Sequence, residues 1–236
     1  MIEVKNLSVK YAPSDAVPAV DNISLTVKHG ERIALLGANG AGKTTLLLSM
    51  VGILQPSEGD VFIDGMRVEK KNLAEARRKT ALVFQNPDDQ LFMPTVMQDV
   101  TFGSMSYGMD EEAAARRADK VMATLGVERL RSSMTSRLSS GEKRLVALAG
   151  VLVMEPDTIL MDEPTSFLDI RASRELAKYL SGLSQSMIIA THDLGFAKRV
   201  CKRVVLLESG KMRADMPFDK FMDDGALRYE FGLDDG

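Results

Sequence analysis

Nine consecutive residues constrain this chain more than any others: Gly37-Ala38-Asn39-Gly40-Ala41-Gly42-Lys43-Thr44-Thr45. They match the pattern G-x-x-x-x-G-K-[ST] in full. The run before them, Ile33-Ala34-Leu35-Leu36, is short and apolar, as a buried parallel strand is. The run after them, Leu46-Leu47-Leu48-Ser49-Met50-Val51, suits a helix. Glycines let a tight loop turn successive backbone N–H groups toward one anion. The helix start adds free N–H groups and the positive end of its dipole. A glycine turn before an ordinary helix is the plainer alternative, but the complete match and its flanks favour a nucleoside triphosphate. Lys43 is then placed to reach the outer phosphates, and the Thr44 hydroxyl to hold Mg²⁺. Asn39, Gly40, Gly42 and Thr45 complete the expected contacts of this loop.

Composition narrows the setting. The chain has 236 residues, 45% hydrophobic and 27% charged. That suits one large domain, or a domain with an inserted subdomain. A formal net charge of −3 gives no reason to expect nucleic acid as a partner. A single cysteine, Cys201, rules out a disulfide framework and a cysteine-built zinc site. It reads as a small residue on a helix in a reducing, cytoplasmic setting. Met1-Ile2-Glu3-Val4-Lys5 begins with strand-like alternation, with no signal peptide in view. The longest apolar run, 145–154, is too short to span a bilayer. Service to a membrane process would therefore require docking on another protein's helices. The 15 methionines read as adaptable core filler.

Along the chain, residues 1–35 read as antiparallel strands leading into the phosphate-loop strand, with a turn-rich stretch at 12–18. Residues 59–65 and 80–84 read as further strands, the second ending at Gln85. Helices are expected at 95–105 and 110–125, the latter capped by Asp110 and closed at Gly126. Residues 95–155 thus look like a helical insertion in an α/β core formed by 1–94 and 156–236. Strands return at 158–161, 187–191 and 204–207, with a helix at 170–183 and a hairpin turn at 208–211. The tail from 218 to 236 is acidic and weakly patterned.

Asp162 and Glu163 follow the apolar strand at 158–161. Carboxylates there lie on the ligand side of an open parallel sheet. One acid can hold Mg²⁺ while the next polarises a water, which assigns Asp162 to the metal and Glu163 to general base catalysis. His192 follows the neighbouring strand and reaches the same edge, where it suits a γ-phosphate contact. Gln85, at another strand end, can orient water or complete a Mg²⁺ shell. Ser139 and Glu142 have the spacing of a capping box. That spacing leaves two readings open: a well-capped helix, or a second anion site at a helix start.

Together these residues resemble the ATP-binding cassette (ABC) ATPases over essentially the whole chain. The resemblance rests on the phosphate loop, on Phe84-Gln85-Asn86-Pro87, on Leu138-Ser139-Ser140-Gly141-Glu142 and on Leu160-Met161-Asp162-Glu163-Pro164-Thr165. Ser166-Phe167-Leu168-Asp169 is similar to the family's D-loop, and Thr191-His192-Asp193 to its switch histidine. The resemblance implies a P-loop NTPase fold with a RecA-like core, an N-terminal antiparallel β-subdomain and an inserted α-helical subdomain. It implies that Tyr11 stacks on adenine. It also implies that Ser139, Gly141 and Asp169 serve a nucleotide sandwiched between two ATPase chains, identical or different. The run Gln85-Asn86-Pro87-Asp88-Asp89-Gln90-Leu91-Phe92, with Gly141-Glu142-Lys143-Arg144, resembles the ATPases of energy-coupling-factor importers for metal ions or vitamins. That implies ATP hydrolysis at the cytoplasmic face of a membrane, with an integral membrane coupling protein and a substrate-binding membrane subunit as partners.

Three departures stand out. Ser140 replaces the second glycine of the signature, Phe167 replaces a small D-loop residue, and Met97-Gln98 stand where such ATPases often carry acids. The C-terminus is also shorter than in many relatives. Two other functions compete with the importer reading. One is a soluble ABC ATPase in repair or cofactor assembly; the other is a nucleotide-gated docking module with one degenerate site. A small-molecule kinase would explain the phosphate loop but not the signature stretch.

Overall fold

The computed structural model describes residues 1–233; Asp234, Asp235 and Gly236, the end of the acidic tail, lie outside the described residues. The strands in chain order are β1 (Ile2–Val9), β2 (Val20–Val27), β3 (Arg32–Leu36), β4 (Glu58–Ile63) and β5 (Met66–Arg67). They continue with β6 (Thr80–Val83), β7 (Thr158–Asp162), β8 (Ser186–Ala190), β9 (Arg203–Glu208) and β10 (Lys211–Pro217). The helices are α1 (Lys43–Met50), α2 (Leu73–Lys79), α3 (Val96–Ser106), α4 (Glu111–Thr124) and α5 (Ser140–Val153). After them come α6 (Ile170–Gly182), α7 (Leu194–Val200), α8 (Phe218–Asp223) and α9 (Gly225–Glu230).

Two sheets share the work. One is antiparallel, in the order β2-β1-β4-β5. The other runs β10-β9-β3-β8-β7-β6, parallel throughout except for the edge strand β10. The parallel strands are apolar on both faces because both faces are covered. Their residues divide by alternation. Ala34, Leu36, Ile159, Met161, Met187 and Ile189 enter a core shared with α5, α6 and α7. Ile33, Leu35, Leu160, Ile188 and Ala190 enter a second core shared with α1 and the antiparallel sheet. Because β3 belongs to the parallel sheet, the antiparallel reading of residues 1–35 holds only for β1 and β2.

Helices α3, α4 and α5 enclose a cluster of their own, built from Val96, Val100, Ala118, Met122, Val146, Ala149 and Val153. The other face of α5 places Leu148, Val151 and Leu152 in the main core. This one helix is therefore a wall common to both bodies.

Local signals account for the helix starts. Asp110 accepts from the Ala113 N–H at 2.9 Å, as an N-cap does. Four short helices, α2, α7, α8 and α9, fall where no periodic pattern is visible, because six or seven residues are too few to display one. The described part of the tail, residues 218–233, is accordingly more ordered than its composition implies: Phe218 and Phe221 of α8 are buried against the main core. Cys201 sits just past α7 and is buried, which pushes its thiol up to about 12 and leaves it inert as a nucleophile.

The register fixes the working edge. Leu35 pairs with Ala190 across β3 and β8, and Asp162 pairs with the same Ala190 across β7 and β8. The segments that follow β3, β7 and β8 thus leave the sheet side by side.

Candidate nucleotide site

The loop after β3 wraps the start of α1. Gly42 has φ of 100°, and a Cβ there would stand 2.6 Å from the Ala19 carbonyl oxygen, so glycine is required twice over. Beside Ala19, the Gly210 N–H of the β9–β10 turn donates to the Ala41 carbonyl at 3.1 Å. Lys43 folds back over the loop and donates to the carbonyls of Gly37 (2.6 Å) and Ala38 (3.0 Å). Burial lowers the Lys43 pKa, and the charges of Glu163 and Asp162 oppose that shift.

Thr44 and Asp162 meet where α1 faces β7. The Thr44 hydroxyl donates to Asp162 Oδ2 at 2.7 Å. Asp162 is buried, and burial raises its pKa while the Thr44 hydrogen bond lowers it. Glu163 follows with φ of 46°, an uncommon backbone for a non-glycine residue. Its N–H donates to the Ala190 carbonyl at 2.8 Å, which ties this turn to β8. Its carboxylate Oε2 lies 2.9 Å from His192 Nδ1 and accepts from the Thr191 hydroxyl at 3.3 Å. Thr45 shares a 2.8 Å hydrogen bond with the Tyr11 hydroxyl, while Tyr11 is 64% exposed and keeps a free ring face.

These residues line a cavity of about 410 Å³ bounded by Tyr11, Asn39, Lys43, Gln85, Asp162 and Glu163, together with the rest of the loop. Two crevices elsewhere are much larger. One, of about 780 Å³, is edged by Arg117 and Glu155, which already form an ion pair at 3.0 Å. The other, of about 660 Å³, runs from the Thr165–Asp169 turn to His192. Size does not decide here; the loop cavity brings a helix start, a lysine and two carboxylates to one place.

Three of the sequence candidates lie apart from this cavity. Ser139 caps α5: its N–H donates to Glu142 Oε2 at 3.0 Å and its hydroxyl accepts from the Glu142 N–H at 3.3 Å. Gly141 packs against the Phe167 backbone, whose oxygen would lie 3.1 Å from a Cβ on the glycine. Asp169 caps α6 by accepting from the Ala172 N–H at 2.7 Å. His192 stands at the rim and touches the cavity through Glu163.

Sequence reasoning passed over Thr191, which stands beside the histidine it did single out. It also passed over Ala19, since nothing in a turn-rich stretch announces a backbone contact to a distant glycine. Arg144 entered the sequence reading only as part of a family resemblance, with no role of its own.

The donor set suits a hard cation. Thr44, Asp162 and Gln85 offer only oxygen ligands, and the carboxylate is aimed at the loop hydroxyl. No cluster of three His, Cys, Asp or Glu side chains poised for a metal exists among the described residues. Magnesium needs none, because it takes one or two protein oxygens and fills its shell with phosphate oxygens and water.

Fold and site together define a P-loop nucleotide hydrolase with an antiparallel sheet and a helical insertion. The family model for the ABC transporter matches residues 20–166. A putative ABC transporter ATP-binding protein of Geobacter sulfurreducens is 43% identical over 92% of this chain and 86% of its own length. An energy-coupling factor transporter ATP-binding protein of Methanothermobacter thermautotrophicus is 41% identical over 97% of this chain and 75% of its own. Among solved structures, cbiO1 from Clostridium perfringens, part of the ABC transporter complex cbiONQ, superposes with a TM-score of 0.81 at 34% identity. That match covers 98% of this chain and 94% of the other. A dimeric ATP-binding cassette bound to ADP and Pi in a post-hydrolysis state superposes at 0.86 with 26% identity, covering 92% of this chain and 99% of the other. The chain belongs to the ABC transporter family. It is an ATP-binding subunit, an ATPase whose turnover powers transport across a membrane.

Proposed function

We propose that this ATPase drives an energy-coupling-factor importer, as a peripheral subunit on the cytoplasmic face of the membrane. Glu163, held buried between Thr191 and His192 at the mouth of the phosphate loop, is the observation that carries the catalytic part. In this reading the loop N–H groups and Lys43 bind the phosphates of ATP. Thr44, Asp162 and Gln85 would hold Mg²⁺, which when bound neutralises charge on the outer phosphates. Glu163 takes the proton of the attacking water, and His192 orients Glu163 and reaches the γ-phosphate. Tyr11 offers its exposed ring to the adenine.

Ser139 and Gly141 start α5 away from their own loop, which supports a site completed by a second ATPase chain. The dimeric relative gives that arrangement its precedent. No helix among the described residues is long and apolar enough to cross a membrane. Beside the nucleotide cavity runs an apolar groove of about 430 Å³ lined by Leu47, Leu48, Ile53, Leu82 and Phe84. Thr44, Gln85 and Asp162 belong to both walls. A helix of a membrane partner seated there would sense Gln85 directly, which supports coupling through this face.

The test is recovery of the tagged chain from detergent-solubilised membranes of its source cells. A multi-helix membrane protein recovered in fixed ratio, and raising ATP turnover when added back, is the expected result. A wholly soluble set of partners would overturn the importer reading.

A further inference from the structure

Arg144 is only 1% exposed and forms no ion pair among the described residues. Its position is electrostatically poor. It lies in the second turn of α5, near the positive end of the helix dipole, and burial strips its charge of water. Burial indeed lowers its pKa, opposed by Asp162 and Glu163, so its charge is felt at the site. What the guanidinium gains is specific: its two terminal nitrogens donate to the carbonyls of Phe84 and Gln85. Its Nε has no partner.

Two more contacts come from the same side of α5. Lys143 pairs with Asp88 at 2.5 Å. The Ala147 carbonyl accepts from Gln90 Nε2 at 2.9 Å, and Gln90 Oε1 accepts from the Phe84 N–H at 3.2 Å. The helix that opens with Ser139 and Gly141 is thereby hooked at three points to the segment between Phe84 and Gln90. Of the three, only the Arg144 contact grips the backbone of Gln85 itself, and it comes from a side chain that is buried.

We propose that Arg144 is a positioning residue for the reaction. It fixes where the Gln85 side chain enters the nucleotide cavity, and it makes Gln85 and the start of α5 travel as one piece. The inference rests on the reading of Gln85 as a contact to water and metal.

A double-mutant cycle separates this from a structural role. Turnover, KM for ATP and the Mg²⁺ concentration giving half-maximal turnover are measured for Arg144→Met, Arg144→Lys, Gln85→Ala and the two combinations. Arg144→Met is expected to lower kcat by about tenfold with binding of a fluorescent ATP analogue changed less than about threefold, and Arg144→Lys, which keeps the charge, to recover part of the loss. In the Gln85→Ala background, Arg144→Met should cost less than about twofold more. An undiminished loss in that background would overturn the inference while leaving Gln85 its role. Normal turnover in Arg144→Met would also overturn it. Normal turnover in Gln85→Ala would remove the reading of Gln85 and this inference with it. Should the methionine variant fail to fold, the lysine variant carries the same cycle.

Discussion

His192 Nδ1 lies 2.9 Å from Glu163 Oε2, and the Thr191 hydroxyl reaches the same oxygen from 3.3 Å. Two consecutive residues at the end of β8 thus aim one carboxylate that begins at the end of β7. Glu163→Gln keeps the shape and loses the base. It should retain ATP binding, lower kcat by roughly 10²–10⁴-fold, and accumulate an ATP-bound dimer. Nucleotide binding, phosphate release and gel filtration with ATP check the three parts, and near-normal phosphate release would remove Glu163 as the base.

The Thr44–Asp162 hydrogen bond predicts a metal phenotype. Thr44→Val removes a donor to a buried carboxylate and an oxygen from the Mg²⁺ set. Hydrogen bonds to charged groups are worth about 1.5–3 kcal/mol. The Mg²⁺ concentration for half-maximal turnover should rise about tenfold or more. A Mg²⁺ titration at fixed ATP measures this; an unchanged curve would exclude the hydroxyl from the metal set.

Ser140 is exposed at the first position of α5, whereas Gly141 packs on the Phe167 carbonyl. Ser140→Gly therefore loses no packing and should cost less than about 1 kcal/mol of stability, with turnover equal or higher. Gly141→Ala must move the Phe167 turn, where φ is already 68°, and should lower turnover. Thermal melts and steady-state rates of both variants test the contrast. A large loss of turnover in Ser140→Gly would make the serine a working contact instead.

Asp99 supplies a pH dependence. Its carboxylate accepts from the N–H groups of Phe92 (2.8 Å) and Met93 (2.6 Å), which holds the segment before α3 and brings Phe92 edge-on to Phe102. Burial raises its pKa above 3.8, against the pull of both N–H groups. The folded state then binds the proton more tightly than the unfolded state does. The associated stability is present in full below the ordinary aspartate range and is lost as pH rises through the raised value. Compared with Asp99→Asn, which does not titrate, the wild type should lose urea resistance as pH rises above the ordinary aspartate range of about 4. Parallel midpoints for the two proteins across that window would contradict the shift.

Legibility in sequence followed the range of the interactions. The phosphate loop and the Asp162–Glu163 pair are local patterns, so spacing and strand character were enough to find them. The α/β class followed from apolar runs such as 158–161 and 187–191, which need cover on both faces. The role of Arg144, quoted in sequence only within a family resemblance, was hidden because its partners lie some 60 positions earlier and are backbone atoms, which no side-chain pattern encodes. Asp99 was hidden for the same reason: it serves N–H groups whose residue types carry no signal. Helices α8 and α9 were hidden by length, and their order comes from Phe218 and Phe221 finding a core built elsewhere in the chain.

The phosphate loop rests on Ala19, which leads into β2, and on Gly210 of the β9–β10 turn, which stand next to each other against Gly42. Its shape is therefore imposed by both sheets before any anion arrives. Ordering of this segment should contribute little to the thermodynamics of nucleotide binding, and the heat-capacity change on titrating nucleotide into the isolated subunit is expected to be correspondingly small. A large negative value belongs to a later event, the closing of apolar surface between chains, so the calorimeter distinguishes loading from engagement.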